Sequence, residues 1–84
     1  MTDSKSLDLI RAALAEVAPK RKSDWAKLDA TVRINALALD SVTVLEMVGA
    51  LEDRLDVVFA EDELALVKNV GDLVGVVSRA QRAA

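Results

Sequence analysis

The Asp-Ser pair at positions 40 and 41 places a carboxylate and a hydroxyl where a helix is predicted to begin. Apolar residues recur at three- and four-residue steps from there to about Leu55, the spacing of one side of an α-helix. As the N-cap, the Asp40 carboxylate would accept the backbone N–H of Thr43 and suit the positive end of the helix dipole. The hydroxyl of Ser41 is then not needed for capping. A free hydroxyl at a helix N-terminus is well placed to carry a phosphate ester, although an Asp-Ser pair at a helix start is more often only a cap.

Cysteine and histidine are both absent from the 84 residues. The sequence therefore excludes disulfides, thiolate metal sites and a Ser-His or Cys-His nucleophile made from its own side chains. The acidic run Glu61-Asp62-Glu63 lacks the alternating ligand spacing and the central glycine of a calcium loop. We therefore expect no specific metal site.

The net charge of −3 is unevenly distributed. Residues 40–72 contain nine acidic and two basic side chains (−7), whereas the segments before and after them carry +2 each. This middle part should repel nucleic acid and attract a partner with a Lys/Arg patch, although a solvated acidic face without a partner is the simpler alternative. The cluster Lys20-Arg21-Lys22 is most simply a solvated link, because three charges without an aromatic residue make a weak nucleic-acid patch.

The first 20 residues predict one helix. Ser4 or Ser6 is placed to cap it, and Pro19 closes it, because the residue before a proline is disfavoured in the α region. The apolar stripe of this helix consists of Leu7, Ile10, Leu14 and Val17.

Residues 23–39 show an apolar pattern that fits neither a helix nor a strand. We predict a long, partly ordered loop with one turn of helix beginning at Ser23-Asp24. Trp25 is interpreted as a packing anchor, and the loop as the segment that presents Ser41.

Two further helices are predicted after an extended connector at residues 56–59. A short one begins at Glu61-Asp62-Glu63, where acidic residues suit the helix dipole. The last helix is capped by Asn69, with Asp72 in a variant of the capping box, and the tail Ser78–Ala84 is expected to fray. Its buried stripe consists of Val70, Leu73, Val74 and Val77.

Three main helices and one short helix, each with one apolar stripe, can close a single core only as a small bundle. We therefore predict an all-α fold with one domain spanning residues 1–84. There is neither an apolar run behind a basic start nor a run approaching the roughly 20 residues of a membrane span, so we expect a soluble, cytoplasmic protein. We also expect a monomer.

The predicted helix after Ser41 has a second side that combines apolar and acidic residues. Such a strip suits a docking surface, where apolar contacts give affinity and charges give orientation, although scattered exposed apolar residues are also ordinary. Its members are Val42, Leu45, Glu46, Gly49 and Asp53.

Several short stretches between Leu37 and Leu73 follow one another in a characteristic order. They are Asp40-Ser41-Val42 followed by Glu46, then Ala50-Leu51-Glu52-Asp53, Glu61-Asp62-Glu63 and Asn69-Val70-Gly71-Asp72-Leu73. In this order they resemble the acyl carrier protein family.

The resemblance implies a carrier, not an enzyme. Members of the family hold acyl groups as thioesters on a 4′-phosphopantetheine arm. A phosphopantetheinyl transferase takes this arm from coenzyme A and attaches it to a serine, which corresponds here to Ser41, next to Asp40. The implied roles are fatty-acid, polyketide or related biosynthesis, with synthases or ligases that have basic docking patches as partners. The implied partner-binding residues are Val42, Leu45, Glu46, Gly49, Asp53, Glu61, Asp62 and Glu63. The implied acyl-chain cavity is bounded by Val44, Met47, Val48, Phe59, Leu64, Val67 and Val70, for which core packing is the simpler alternative.

The chain departs from the usual family pattern at two positions. Ala38 stands where a glycine is common, two residues before the Asp, and Gly49 stands where many members have a larger apolar residue. Asp40 favours the acyl type over peptidyl carriers, which more often have Gly or His before the serine, while a D-alanyl or specialised polyketide carrier stays open. From a different class, the alternative is an acidic helical adaptor in which Ser41 only begins a helix.

Overall fold

The structure, a computed structural model, describes residues 3–83, with side chains from 4 to 80. Its α-helices are α1 (Asp3–Val17), α2 (Lys22–Ala26), α3 (Ser41–Leu55), α4 (Glu61–Ala65) and α5 (Val70–Ala83). Two short 3-10 helices, Pro19–Arg21 and Ile34–Leu37, lie in the connections. Residues 3–83 contain no β-strand, only an isolated bridge between Arg33 and Asn69. The predicted all-α fold is confirmed.

The core lies between the three long helices, with α1 packed against both α3 and α5. Each contributes the apolar stripe that the three- and four-residue spacing indicates. The most deeply buried members are Ile10 and Leu14 of α1, Met47 and Leu51 of α3, and Val70, Leu73 and Val77 of α5. Burial of one stripe per helix is what holds α5 together, despite the two glycines in its first half.

The predicted cap of α1 was wrong. Helix α1 begins at Asp3, so neither Ser4 nor Ser6 is its cap. The Ser6 side chain is buried instead, and its hydroxyl oxygen lies 2.7 Å from that of Ser78. Helix α5 continues past Ser78 to Ala83, and Ser78 itself is buried. The predicted fraying of the tail Ser78–Ala84 stays a prediction, and Ala84 lies outside the described part.

The connection between α1 and α3 is more ordered than its sequence pattern indicated. Helix α2 begins at Lys22, one residue before the predicted turn, and the preceding 3-10 helix begins at Pro19. Trp25 is 1% exposed, and its indole N–H donates a hydrogen bond to the carbonyl of Ala18 at 3.0 Å. Its prediction as a packing anchor is confirmed.

Residues 30–34 are attached to the start of α5 by backbone hydrogen bonds. The N–H of Ile34 donates to the carbonyl of Lys68 at 3.0 Å, and the N–H of Val70 donates to that of Val32 at 2.8 Å. The N–H of Gly71 donates to the carbonyl of Ala30 at 2.8 Å, an approach so close that a Cβ at Gly71 would lie 3.0 Å from that oxygen. This contact explains a glycine in the first turn of a helix, where it costs intrinsic propensity.

Side chains also form hydrogen bonds with the backbone before α4 and before α5. The predicted cap of α5 is present, because the side chain of Asn69 accepts the N–H of Asp72 at 2.8 Å and that of Asp72 accepts the N–H of Asn69 at 3.3 Å. The connector before α4, residues 56–59, is not part of a strand. The backbone N–H of its last residue, Phe59, donates a hydrogen bond to the carboxylate of Glu52 at 2.8 Å.

Leu51 and Leu45 provide a matched test of the packing of α3, because they are 0% and 70% exposed. Leu51→Ala should lower the free energy of unfolding by about 2–5 kcal/mol, since it removes buried methyl groups and leaves a cavity. Leu45→Ala should change it by less than about 0.5 kcal/mol. Urea denaturation of both variants measures the difference, and equal losses would contradict the assignment of the two sides of α3.

Candidate functional site

The first turn of α3 is closed by the side chain of Asp40. This residue has extended backbone angles, and its carboxylate accepts the N–H of Thr43 at 2.7 Å. That hydrogen bond holds the pKa of Asp40 below its usual value. The predicted cap is therefore present, and the negative charge lies at the positive end of the helix dipole.

Ser41 is the first residue of α3, and its side chain is exposed. Within the described residues its hydroxyl makes no hydrogen bond, because the cap is supplied by Asp40. The result is an alcohol oxygen open to an approaching reagent, beside first-turn N–H groups that favour an anion.

Arg21 forms hydrogen bonds to the loop that leads to Ser41. Its guanidinium group donates hydrogen bonds to the carbonyls of Leu37 at 2.5 Å and Ala38 at 3.4 Å. The same group lies 4.4 Å above the ring centre of Trp25, so the buried indole supports it. Arg21 was predicted to be part of a solvated link, and this prediction was wrong for Arg21, because its side chain binds the loop. No pattern in the sequence indicates a contact with residues 16 and 17 positions later.

Ala38 adopts the left-handed conformation, with φ 55° and ψ 41°. This conformation reverses the chain between the 3-10 helix and the extended residue Asp40. It is strained for any residue with a Cβ atom, and glycine adopts it without that cost. A glycine at position 38 would therefore relieve the strain of this turn.

The model of the family described as "Phosphopantetheine attachment site" matches residues 8–77. The chain belongs to the acyl carrier protein family. A curated relative, an acyl carrier protein from Exiguobacterium sibiricum, is 32% identical over 77 residues, which cover 92% of this chain and 95% of that protein. No solved structure matches the chain. The cofactor of this carrier family is 4′-phosphopantetheine.

The candidate docking strip of the carrier lies on one exposed side of α3. Val42 and Leu45 are 66% and 70% exposed, and Glu46 and Asp53 are also exposed. Nothing lies within 4 Å of a Cβ built at Gly49, so this position is a shallow gap in the strip. Helical spacing brings all five to one side, as the sequence predicted.

The three acidic residues in the first turn of α4 differ in their exposure and contacts. Glu61 and Asp62 are exposed, whereas Glu63 is half-buried and its carboxylate lies 3.6 Å from the guanidinium group of Arg79. Leu66, just after this helix, is 74% exposed and was not singled out from the sequence, because a lone leucine near a helix end carries no periodic signal.

The seven residues proposed to bound an acyl-chain cavity separate into core and surface. Met47, Phe59 and Val70 are at most 5% exposed and pack in the core. Val44 and Val67 are half-buried and line an open groove of about 360 Å³, to which Leu39 also contributes. The other two members are the partly buried Val48 and Leu64.

Among the described residues, no group of three or more Asp or Glu side chains is arranged to hold a metal ion. In the same part of the chain, no helix is both long enough and apolar enough to cross a membrane.

Ala38→Gly tests the strain in the loop before Ser41. The substitution should raise the free energy of unfolding by about 0.5–1 kcal/mol, because the relief of left-handed strain exceeds the added entropy of the unfolded chain. Ala36→Gly is the matched control in the same loop, since Ala36 is exposed and belongs to the 3-10 helix, and it should lower the stability. Chemical denaturation measures both; a loss of stability for Ala38→Gly would contradict the argument.

Proposed function

We propose that this protein carries acyl groups on a 4′-phosphopantetheine arm attached to the hydroxyl of Ser41, for fatty-acid, polyketide or related biosynthesis. The observation that carries the proposal is the exposed Ser41 hydroxyl, left uncommitted by the Asp40 cap, inside the region that matches the attachment-site family. Asp40 before the serine favours an acyl carrier over a peptidyl carrier. In this role the protein is a carrier and not an enzyme.

The residues around Ser41 fit the proposed arm. The Ser41 oxygen would bond to the phosphate, whose charge suits the N-terminus of a 15-residue helix. Asp40 stays at the helix end through its bond to Thr43, so it orients Ser41 without competing for the hydroxyl. When bound, the arm supplies a thiol that holds acyl groups as thioesters, a chemistry for which this chain of 84 residues has no cysteine.

The proposed partners approach along the acidic part of the chain. A phosphopantetheinyl transferase would use coenzyme A and Mg²⁺, and synthases or ligases would then load and unload the arm. Glu46 and Asp53 are exposed beside Val42 and Leu45, so an apolar contact surrounded by negative charge faces the partner. A complementary basic patch would gain association rate and orientation.

Intact-mass measurement tests the attachment. After incubation with coenzyme A, Mg²⁺ and a broad-specificity transferase, the wild-type chain should gain one phosphopantetheine, because the Ser41 oxygen is accessible. Ser41→Ala should gain nothing. Ser23→Ala, which removes another exposed helical serine, should gain the arm as the wild type does.

A gain that persists in Ser41→Ala would exclude this serine as the attachment site. No gain in the wild type would favour the second candidate, an acidic helical adaptor that binds through the exposed side chains of Val42 and Leu45.

Charge reversal on α3 tests the docking surface. Glu46→Lys should lower kcat/KM for arm transfer by about threefold to tenfold at low salt, because a basic partner loses electrostatic steering. The loss should shrink as salt is added. Asp8→Lys is the control, since Asp8 is exposed on α1 and outside the strip. If Glu46→Lys and Asp8→Lys are transferred at equal rates in low salt, α3 does not direct docking.

A further inference from the structure

Arg11 and Arg21 each hold one connection of the bundle through backbone carbonyls. The guanidinium group of Arg11 donates two hydrogen bonds to the carbonyl of Leu28, at 3.1 and 2.5 Å. That of Arg21 donates to the carbonyls of Leu37 at 2.5 Å and Ala38 at 3.4 Å. In both cases a guanidinium nitrogen lies 3.1 Å from the carboxylate of an aspartate three residues away, and the two side chains are 33% and 36% exposed. Of the two, Arg21 is the one that bonds to the loop before α3.

The bonds from Arg21 constrain the two backbone dihedral angles of Ala38. The Leu37 carbonyl belongs to the peptide plane before Ala38 and the Ala38 carbonyl to the plane after it, so φ and ψ of Ala38 set the relative orientation of the two planes. Both oxygens accept from the same nitrogen, Nη1 of Arg21. The two carbonyls can share this donor while Ala38 has φ 55° and ψ 41°. Arg21 therefore favours the left-handed conformation that the Cβ of Ala38 disfavours.

The guanidinium group of Arg21 is itself held in place. Its Nε donates to the carboxylate of Asp24 at 3.1 Å, and its central carbon lies 4.4 Å from the ring centre of Trp25. The Trp25 side chain is 1% exposed, and its N–H donates to the carbonyl of Ala18, so the ring is fixed in the core. A planar guanidinium group with a carboxylate at its edge and an aromatic ring against its face is preorganised for its bonds to the loop.

Loss of the turn at Ala38 would affect the start of α3 more than its body. Ala38 lies two residues before Asp40, whose extended backbone lets its carboxylate accept the N–H of Thr43. If the turn opened, this cap would loosen and the first turn of α3, with Ser41, would fray. The rest of the helix would stay in place through core residues such as Met47, which is 2% exposed. The Ser41 hydroxyl would then lose its orientation while the candidate docking strip kept its position.

We propose that Arg21 is a positioning residue for the transfer of the 4′-phosphopantetheine arm to Ser41, which rests on the proposed function. In this transfer the Ser41 oxygen bonds to the phosphorus that carries the arm, and the pyrophosphate bond of coenzyme A breaks. Adenosine 3′,5′-bisphosphate leaves, and the serine proton passes to a base of the transferase. Arg21 takes no part in these bond changes. It acts through Ala38 and Asp40, by keeping the Ser41 oxygen in one position for the attack.

Single-turnover kinetics test the proposal, with a broad-specificity transferase in excess, saturating coenzyme A and Mg²⁺, and the gain in mass followed with time. Arg21→Gln should lower the maximal rate by about threefold to tenfold, because the hydroxyl is less often in the productive position. The transferase concentration that gives half of the maximal rate should change by less than about twofold, since the docking strip is intact. The loss should persist in high salt, unlike a loss of electrostatic steering.

Arg11→Gln is the matched control, because it removes the same charge and the same kind of bonds from an equally exposed position. Both variants should lower the unfolding temperature by about 4–8 °C. Arg11→Gln should keep the maximal rate within about twofold of the wild type, because its bonds do not reach the loop before α3. Equal slowing of both variants would mean that lost stability lowers the rate, and the proposal would be overturned. A wild-type rate in Arg21→Gln would overturn it as well.

The double variant Arg21→Gln with Ala38→Gly locates the effect in the turn. Glycine adopts the left-handed conformation without steric cost, so Arg21→Gln should slow the transfer less in the Ala38→Gly background than in the wild type. Equal slowing in both backgrounds would place the effect outside this turn and contradict the proposal. If the wild-type chain gained no arm, the carrier function and this proposal would both fall, whereas loading that is insensitive to Arg21 overturns this proposal alone.

Discussion

The hydrogen bond from the Thr43 N–H to the Asp40 carboxylate is the interaction on which the presentation of Ser41 depends. A helix of 15 residues leaves N–H groups without partners at its start, and something must satisfy them. If the Ser41 hydroxyl accepted a hydrogen bond from one of these N–H groups, it would point toward the backbone and not toward solvent. Because the preceding residue supplies the acceptor, the serine can belong to the rigid helix and still present its oxygen to solvent.

The position of this helix start depends in turn on the loop before it. Arg21 holds the carbonyls of Leu37 and Ala38, and the buried Trp25 supports Arg21. The left-handed turn at Ala38 then directs the chain into the cap. The site therefore rests on contacts from α2 and its neighbouring 3-10 helix as well as on α3 itself, and the strain at Ala38 is tolerated because the groups on both sides are fixed.

Much of the fold was predictable because helical periodicity and capping are local signals. The bounds of α3, the acidic start of α4 and the reciprocal bonds between Asn69 and Asp72 follow from residues a few positions apart. The role of Arg21 was not predictable, because it joins positions far apart in a stretch without periodicity. The left-handed backbone of Ala38 was also hidden, since an alanine does not signal that conformation as a glycine does.

The buried hydroxyl pair of Ser6 and Ser78 has a consequence for the alignment of the two terminal helices. Apolar stripes on α1 and α5 would tolerate a slide of one turn, because one aliphatic side chain can replace another at little cost. The hydroxyl groups would not tolerate it, since each would lose the other as a partner inside the bundle. This pair therefore favours the observed alignment of α1 on α5, in which Ser6 and Ser78 face each other inside the bundle.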